Sequence, residues 1–165
     1  MINQGSILHA EHNGTHCLRL VGSIRYSLAP SLDRFLQRLF ADSTPRAFLV
    51  DLSQTEMIDS TTLGLLVKIA RLMSVHHASE VVLFSPREDI TEILISMGFG
   101  NFFQLVTTDF PVTLEQSSGE PIPESETDQS RMTKIILEAH RALLEMDRRN
   151  EATFRDVVRS LEKEG

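Results

Sequence analysis

The sequence has little of several features that define whole classes of protein. Among its 165 residues there is one cysteine, Cys17, so no disulfide can form within the chain. A lone cysteine among alternating apolar residues is typical of a buried strand in a reducing compartment. Tryptophan is absent and aromatic residues make up only 6% of the chain, so the core must rest mainly on leucine, isoleucine, valine and phenylalanine.

Long apolar runs and an excess of basic charge are also missing. The apolar stretches fall far short of the roughly 20 residues that a membrane span needs, and the N-terminus shows no signal-peptide pattern. The net charge of −7 repels phosphate backbones and anionic lipid surfaces. We therefore expect a cytoplasmic protein with no direct nucleic-acid partner and no membrane partner.

Hydrophobic periodicity predicts an α/β fold. Alternating segments and short apolar runs indicate strands, whereas apolar residues at helical spacing indicate helices. The pair Asn13-Gly14 predicts a hairpin turn, because both residues tolerate positive φ. The order β-β-α-β-α-β-α-β favours a mixed sheet with parallel crossovers and helices packed on it. The predicted strands are 6–11, 16–21, 47–50, 81–84 and 102–106, and the predicted helices are 31–40, 60–75 and 89–97.

The character of the sequence changes after residue 108. Residues 109–129 are rich in proline, serine and glutamate, which predicts a polar linker. Residues 130–165 form a charged amphipathic segment of one or two helices, with a corner expected at 149–151. The apolar face of such a segment needs a cover. Three arrangements would cover this face: residues 130–165 pack back on residues 1–108, they pair with a copy of themselves in a homodimer, or they bind a separate partner.

The stretch from Asp51 to Gly64 carries the strongest functional signal. A buried strand is expected to end near Leu52, a loop follows, and a helix begins at Ser60, with Asp59 and Ser60 at its N-terminal cap. Small side chains should leave the first helical turn accessible to another surface. The Ser60 hydroxyl could serve as a cap, a nucleophile or a phosphoacceptor. No histidine stands in a recognisable triad pattern and no G-x-S-x-G motif is present, which disfavours the nucleophile.

Metal and cofactor sites are not expected. Asp51 and Asp59 could form an acidic pair for magnesium, but the loop has no lysine and no glycine-rich phosphate cradle. The adjacent His76 and His77 cannot face one another on a helix. The histidines at 9, 12 and 16 lack the cysteine or acidic partners of a zinc site.

Residues 50–64, which end in Ile58-Asp-Ser-Thr-Thr-Leu-Gly64, resemble the signature of STAS domains in anti-anti-sigma factors. The resemblance extends over about residues 1–108. It implies that Ser60 is phosphorylated by an anti-sigma factor that is also a serine kinase. A PP2C-type phosphatase, in some systems fused to a response regulator, would remove the phosphate. Thr62 departs from the pattern, which commonly has glycine there, and adds another hydroxyl.

The resemblance also implies a regulatory role. The unphosphorylated protein would bind an anti-sigma factor and so release a sigma factor, and a phosphate on Ser60 would block that binding. The C-terminal segment is similar to the tail of the HsbA-like branch of anti-anti-sigma factors. Two alternatives stay open: a STAS scaffold or ligand-sensing module without phosphate switching, and an enzyme that uses Asp51, Asp59 and Ser60. The implied partner-binding residues are Arg25, Ser27, Asp59, Ser60, Thr61, Thr62, Leu63 and Gly64.

Overall fold

A computed structural model describes residues 4–76, 79–109 and 119–164. Within these ranges the chain forms one sheet of seven strands, five α-helices and two short 3-10 turns at 26–28 and 99–101. The strands are β1 (Ser6–His12), β2 (Thr15–Ile24), β3 (Ala47–Asp51), β4 (Thr55–Ile58), β5 (Val82–Phe84), β6 (Gln104–Val106) and β7 (Glu120–Pro121). The helices are α1 (Ala29–Asp42), α2 (Ser60–Val75), α3 (Glu88–Ser96), α4 (Gln129–Met146) and α5 (Arg149–Glu164).

The sheet is mixed, which confirms the predicted α/β fold. Its strand order is β6-β5-β3-β2-β1-β7, with β4 paired to the end of β2. The pairs β2–β3, β3–β5 and β5–β6 are parallel, whereas β1 runs antiparallel to β2. The apolar strands β3 and β5 lie inside the sheet, where Val50 and Leu83 are fully buried. No helix in the described ranges is both long and apolar enough to span a bilayer.

The predicted hairpin at Asn13-Gly14 is confirmed. Both residues have positive φ, 51° and 82°, as a two-residue turn between β1 and β2 requires. The backbone N–H of Gly14 donates to Oε1 of Glu11 at 2.9 Å and closes the turn. The second strand of this hairpin carries Cys17, which is buried as expected.

The segment between Leu52 and Ser60 is not the plain loop that we expected. Residues Thr55–Ile58 form β4, which runs parallel to the end of β2. The strand was missed because it has only four residues, of which Thr55 and Glu56 are polar. Thr55 is nevertheless fully buried, since its hydroxyl donates to the carbonyl of Leu20 at 2.7 Å. This strand fixes where the following helix begins.

The end of the predicted linker lies against the domain. Residues Glu120–Pro121 form β7, an antiparallel partner of β1 at the sheet edge. The N–H of Ile122 donates to the carbonyl of Ile7 at 3.0 Å, and that of Ser125 donates to Oγ of Ser31 at 3.0 Å. The polar composition of 109–129 hid these contacts, because backbone pairing needs no apolar side chains. Residues 110–118 of this segment lie outside the described ranges, and the domain boundaries stay predictions.

The C-terminal segment forms two helices that pack back on the domain. Helix α4 lies against α2 and α1, and α5 lies against α4. The apolar face of α4 is buried at Ile135, Ala139, Ala142, Leu143 and Met146. Of the three interpretations of this segment, the structure therefore shows the first. A homodimer through these helices remains only a prediction.

The corner between α4 and α5 is anchored by polar side chains. Asn150 is buried, and its amide donates to the carbonyls of Leu143 at 2.9 Å and Met97 at 3.0 Å. Asp147 accepts from the backbone N–H of Arg149 at 2.8 Å, and hydrogen bonds from Arg149 lower the pKa of its carboxyl. The predicted interruption near Asn150 is therefore real, and α5 begins at Arg149.

Two histidines of the β1–β2 hairpin are expected to make stability sensitive to pH. His9 Nε2 and His16 Nδ1 lie 2.9 Å apart in stacked rings. Burial lowers the pKa of both, and the charge of His16 lowers that of His9 further. The unfolded chain then takes up these protons first, so the stabilisation is present above about pH 6.5 and is lost as the pH falls toward the folded-state pKa.

We therefore expect the free energy of unfolding to decline between about pH 7.5 and about pH 5.5, measured by urea denaturation. A variant with phenylalanine in place of both His9 and His16 keeps ring packing and removes both titrating groups. Its decline should be shallower. Equal slopes in the two proteins would contradict this assignment.

Candidate functional site

The site is built where β4 passes into α2. Ile58, the last residue of β4, is buried and holds the end of the strand in the core. Asp59 follows with extended backbone angles, φ −91° and ψ 170°, and acts as the N-cap of α2. Ser60 is the first helical residue and is partly exposed. The expected position of this pair at a helix N-terminus is confirmed.

The carboxylate of Asp59 ties two segments together. Its Oδ1 accepts from the backbone N–H of Thr62 at 3.0 Å and from the Thr62 hydroxyl at 2.9 Å. Its Oδ2 accepts from the backbone N–H of Tyr26 at 2.6 Å. The backbone N–H of Asp59 donates to the carbonyl of Ile24 at 3.1 Å. The loop after β2 is thereby fixed beside the start of α2.

This loop carries the other implied contact residues, Arg25 and Ser27, which are both exposed. Between them Tyr26 is 54% exposed, and on the neighbouring β4 Met57 is 40% exposed. Large exposed apolar side chains beside a candidate site are typical of a protein-binding surface. Sequence reasoning placed Tyr26 with Arg25 and Ser27 in a candidate contact loop, but it missed Met57, because it treated residues 53–59 as a loop. Burial along β4 does not alternate, since Thr55 and Ile58 are buried while Glu56 and Met57 are exposed, so the sequence carries no period-2 signal for Met57.

Ser60 contacts a side chain that lies 80 residues further along the chain. Its Oγ is 2.8 Å from Nε2 of His140 on α4. The other ring nitrogen, Nδ1, lies 2.7 Å from the carbonyl oxygen of Ile136. A carbonyl oxygen only accepts, so Nδ1 carries the proton, and in the neutral ring Nε2 accepts from the Ser60 hydroxyl. His140 is itself buried and lies edge-on to the ring of Phe154 on α5.

Sequence reasoning did not pair His140 with Ser60. The available signal was its position on the apolar face of α4, next to Ala139 and one turn from Ile136 and Leu143. A histidine in such a place needs a polar partner, but the sequence does not say which one. Only the packing of α4 on α2 identifies it.

The first turn of α2 is not open, contrary to our expectation. Thr61, Thr62, Leu63 and Gly64 are all buried. A Cβ atom added to Gly64 would lie 2.6 Å from the Cα of Ala139, closer than real side chains come. The missing side chain of Gly64 therefore lets the backbone of α4 approach α2. In this structure Gly64 lies against the chain's own helix α4, and the partner-binding role of residues 59–64 stays a prediction.

The acidic pair considered for magnesium has other partners. Asp51 is buried and accepts from Nε of Arg19 at 2.8 Å and from the backbone N–H of Ser53 at 2.9 Å. Both oxygens of Asp59 are likewise engaged. Across the described ranges no group of three or more histidine, cysteine or acidic residues could hold a metal ion.

Comparisons with known proteins agree with this geometry. A family model described as the STAS domain matches residues 6–114. Among solved structures, the chain is similar to an anti-sigma factor antagonist from Mycobacterium paratuberculosis, with 25% sequence identity and a TM-score of 0.53. That similarity covers 64% of this chain and 87% of the other. A comparison with curated proteins gives no match.

The matched segment contains the whole junction from β4 to α2, with Asp59 and Ser60 at its centre. It includes strands β1 to β6 and helices α1 to α3, whereas α4 and α5 lie beyond it. Because the match spans well over half of the sequence, the chain belongs to the STAS domain family.

Proposed function

We propose that this chain is an anti-anti-sigma factor whose binding to an anti-sigma factor is switched off by phosphorylation of Ser60. The observation that carries the proposal is the position of Ser60 at the capped N-terminus of α2 in a STAS domain. The similar solved structure is an anti-sigma factor antagonist, which supports the same role here. The protein would act by binding rather than catalysis, in the cytoplasm.

Local geometry favours Ser60 over its neighbours as the phosphoacceptor. Thr61 and Thr62 are only 4% and 1% exposed, and the Thr62 hydroxyl is bound to Asp59. Ser60 is the most exposed of these three residues. A phosphate there would lie at a helix N-terminus, where the partial positive charge of the free N–H groups stabilises an anion. The domain can therefore accept the modification without unfolding.

The same phosphate would oppose a docked partner. It adds a charge of about −1.5 to −2 beside Asp59, in the middle of the proposed contact surface. A partner that packs on the uncharged hydroxyl would have to bury that charge unpaired, which is costly. The expected partners are an anti-sigma factor, itself a serine kinase or working with one, and a PP2C-type phosphatase that restores the hydroxyl.

The Ser60–His140 pair also satisfies one requirement of an enzyme, a base within reach of a hydroxyl. Here, however, His140 is oriented by a backbone carbonyl and sits on a helix outside the family match. The pair is better explained as part of the docking of α4. We therefore keep the binding role as the proposal.

The phosphosite is tested by incubating the full chain with ATP and the serine kinase of an anti-sigma system from the source organism. We expect the intact mass to rise by one phosphate, and peptide mapping to place it on Ser60. The Ser60→Ala variant should take up none. Ser74→Ala, which alters an exposed serine of the same helix, should be modified like the native chain. A phosphate on Thr62, or modification that persists in Ser60→Ala, would count against the proposal.

A further inference from the structure

The helices α4 and α5 lie on the surface that the proposed switch would use. This C-terminal hairpin covers the first turn of α2, where Ser60 and Gly64 face His140 and Ala139. We propose that it is an autoinhibitory cover that competes within the chain with the anti-sigma factor for this surface. The inference rests on the proposed function for the identity of the competitor, but the cover itself can be tested separately.

The contact at Ser60 is incompatible with modification. Only the hydroxyl proton fits in the 2.8 Å between Oγ and Nε2 of His140. A phosphorus atom and its three further oxygens cannot occupy that space. A kinase must also bring its own catalytic groups to Oγ. Helix α4 therefore has to move away before Ser60 can be phosphorylated.

The contact at Gly64 excludes a partner in the same way. The backbone of Ala139 fills the place where a side chain would stand on α2. Buried apolar residues on both sides of this point, Leu143 and Met146 among them, join α4 to the domain core. An anti-sigma factor that docks on Ser60 and Gly64 must displace α4, because two chains cannot occupy the same space.

The polar contact at the rim of the cover is weak. The ion pair between Arg71 and Glu145 at its rim is 2.8 Å long, with both side chains largely exposed, and such pairs contribute little. A surface groove of about 300 Å³ runs along the α2–α4 contact, beside Gly64, Lys68 and Ala142. The rim of the contact is therefore open to solvent, whereas its centre, at Ala139 and Leu143, is buried.

Because α4 and α5 belong to the same chain as the surface they cover, they compete effectively with a separate partner. A segment joined to its own binding surface is present there at a high effective concentration, so a partner must exceed it in affinity. The apparent affinity for the partner is lowered by the fraction of molecules that are open. Any event that holds the hairpin away would strengthen binding without changing the docking surface.

A pair of matched variants separates docking of α4 from other effects. Ala139→Leu adds three carbons where the helices are closest, and it keeps the helix propensity of α4 nearly unchanged. Ala152→Leu makes the same change on the exposed side of α5. Both leave residues 4–109 untouched. The first should release the hairpin, and the second should not.

Access to position 60 is measured with a thiol probe in a Ser60→Cys background. The reagent is the bulky disulfide DTNB at a pH high enough to populate the thiolate of residue 60. The native Cys17 will not compete, because it is buried and burial raises its pKa to about 11. We expect Ala139→Leu to raise the reaction rate by about tenfold or more, and Ala152→Leu to leave it unchanged. Equal reaction rates in Ser60→Cys alone, with Ala139→Leu and with Ala152→Leu would overturn the proposal that α4 covers Ser60.

A second arm measures binding of the anti-sigma factor from the source organism to the variants with native Ser60. The competition predicts tighter binding to Ala139→Leu than to the native chain, by a factor similar to that seen with the thiol probe. If binding is unchanged while the probe shows release, the competition is wrong. If the anti-sigma factor binds no form of the chain, the proposed function fails, and the probe still decides whether α4 is a cover.

Discussion

A Ser60→Glu variant is expected to bind the anti-sigma factor about 100-fold more weakly than Ser60→Ala, a difference of about 2.7 kcal/mol in binding free energy. The glutamate places a negative charge beside Asp59, on the surface that the partner would cover. A like charge or an unpaired buried charge at an interface costs several kcal/mol. Isothermal titration calorimetry measures the difference directly.

The fold should survive this substitution. A carboxylate in the first turn of a helix is favoured by the helix dipole, so residues 4–109 should stay folded even though the longer side chain displaces His140 and α4. The control is Ser74→Glu, the same change at an exposed position near the other end of α2. It should bind like the native chain. Equal affinities of Ser60→Glu and Ser60→Ala for the anti-sigma factor would rule out an electrostatic switch at this position.

Replacing Gly64 with alanine is expected to detach α4 from the domain. The new Cβ would lie 2.6 Å from the Cα of Ala139, so the backbone of α4 has to retreat. The substitution favours α2 itself, because alanine is the better helix former by about 1 kcal/mol. We expect the amide hydrogens of α4 to exchange about tenfold faster or more, while those of β3 and β5 keep their protection.

Gly100→Ala provides the matched control. A Cβ at Gly100 meets nothing within 4 Å, so this variant should exchange like the native chain in every helix. Hydrogen exchange followed by mass spectrometry resolves α4 from the sheet. Faster exchange spread over the whole domain would mean that Gly64→Ala destabilises the fold instead. Unchanged exchange in α4 would mean that the close approach at Gly64 does not hold the hairpin.

The sequence was informative where local pattern decides the structure. The helical spacing of apolar residues located α2, and short continuous apolar runs located the buried strands β3 and β5, since these elements bury the side chains that form each pattern. Asn13-Gly14 identified the hairpin, because few residues adopt positive φ. Asp59 was recognised as a cap from its place before an apolar helix. These features depend on residues within a few positions of one another.

The features that escaped prediction depend on distant partners. Strand β4 is too short and polar for a periodic signal, and it exists because β2 offers a free edge. Strand β7 is held by backbone pairing to β1, and side-chain composition does not predict such pairing. The partner of His140 could be found only once α4 was placed on α2. The amphipathic pattern of α4 showed that a cover was needed, but not that Ser60 lay beneath it.

These contacts change what the motif means. The sequence predicts that residues 59–64 form a contact surface, and in the structure the chain's own helix α4 lies against Ser60 and Gly64 of that predicted surface. Two features of the chain would then hinder partner binding at Ser60. One is the phosphate, and the other is the hairpin that must leave before either the kinase or the partner can reach the site.

The central claim is tested most directly by titrating the anti-sigma factor with the native chain before and after stoichiometric phosphorylation at Ser60. The account predicts measurable binding of the unphosphorylated protein and a loss of about 100-fold or more in affinity after modification, restored by a PP2C-type phosphatase. Equal affinity of the two forms would contradict it.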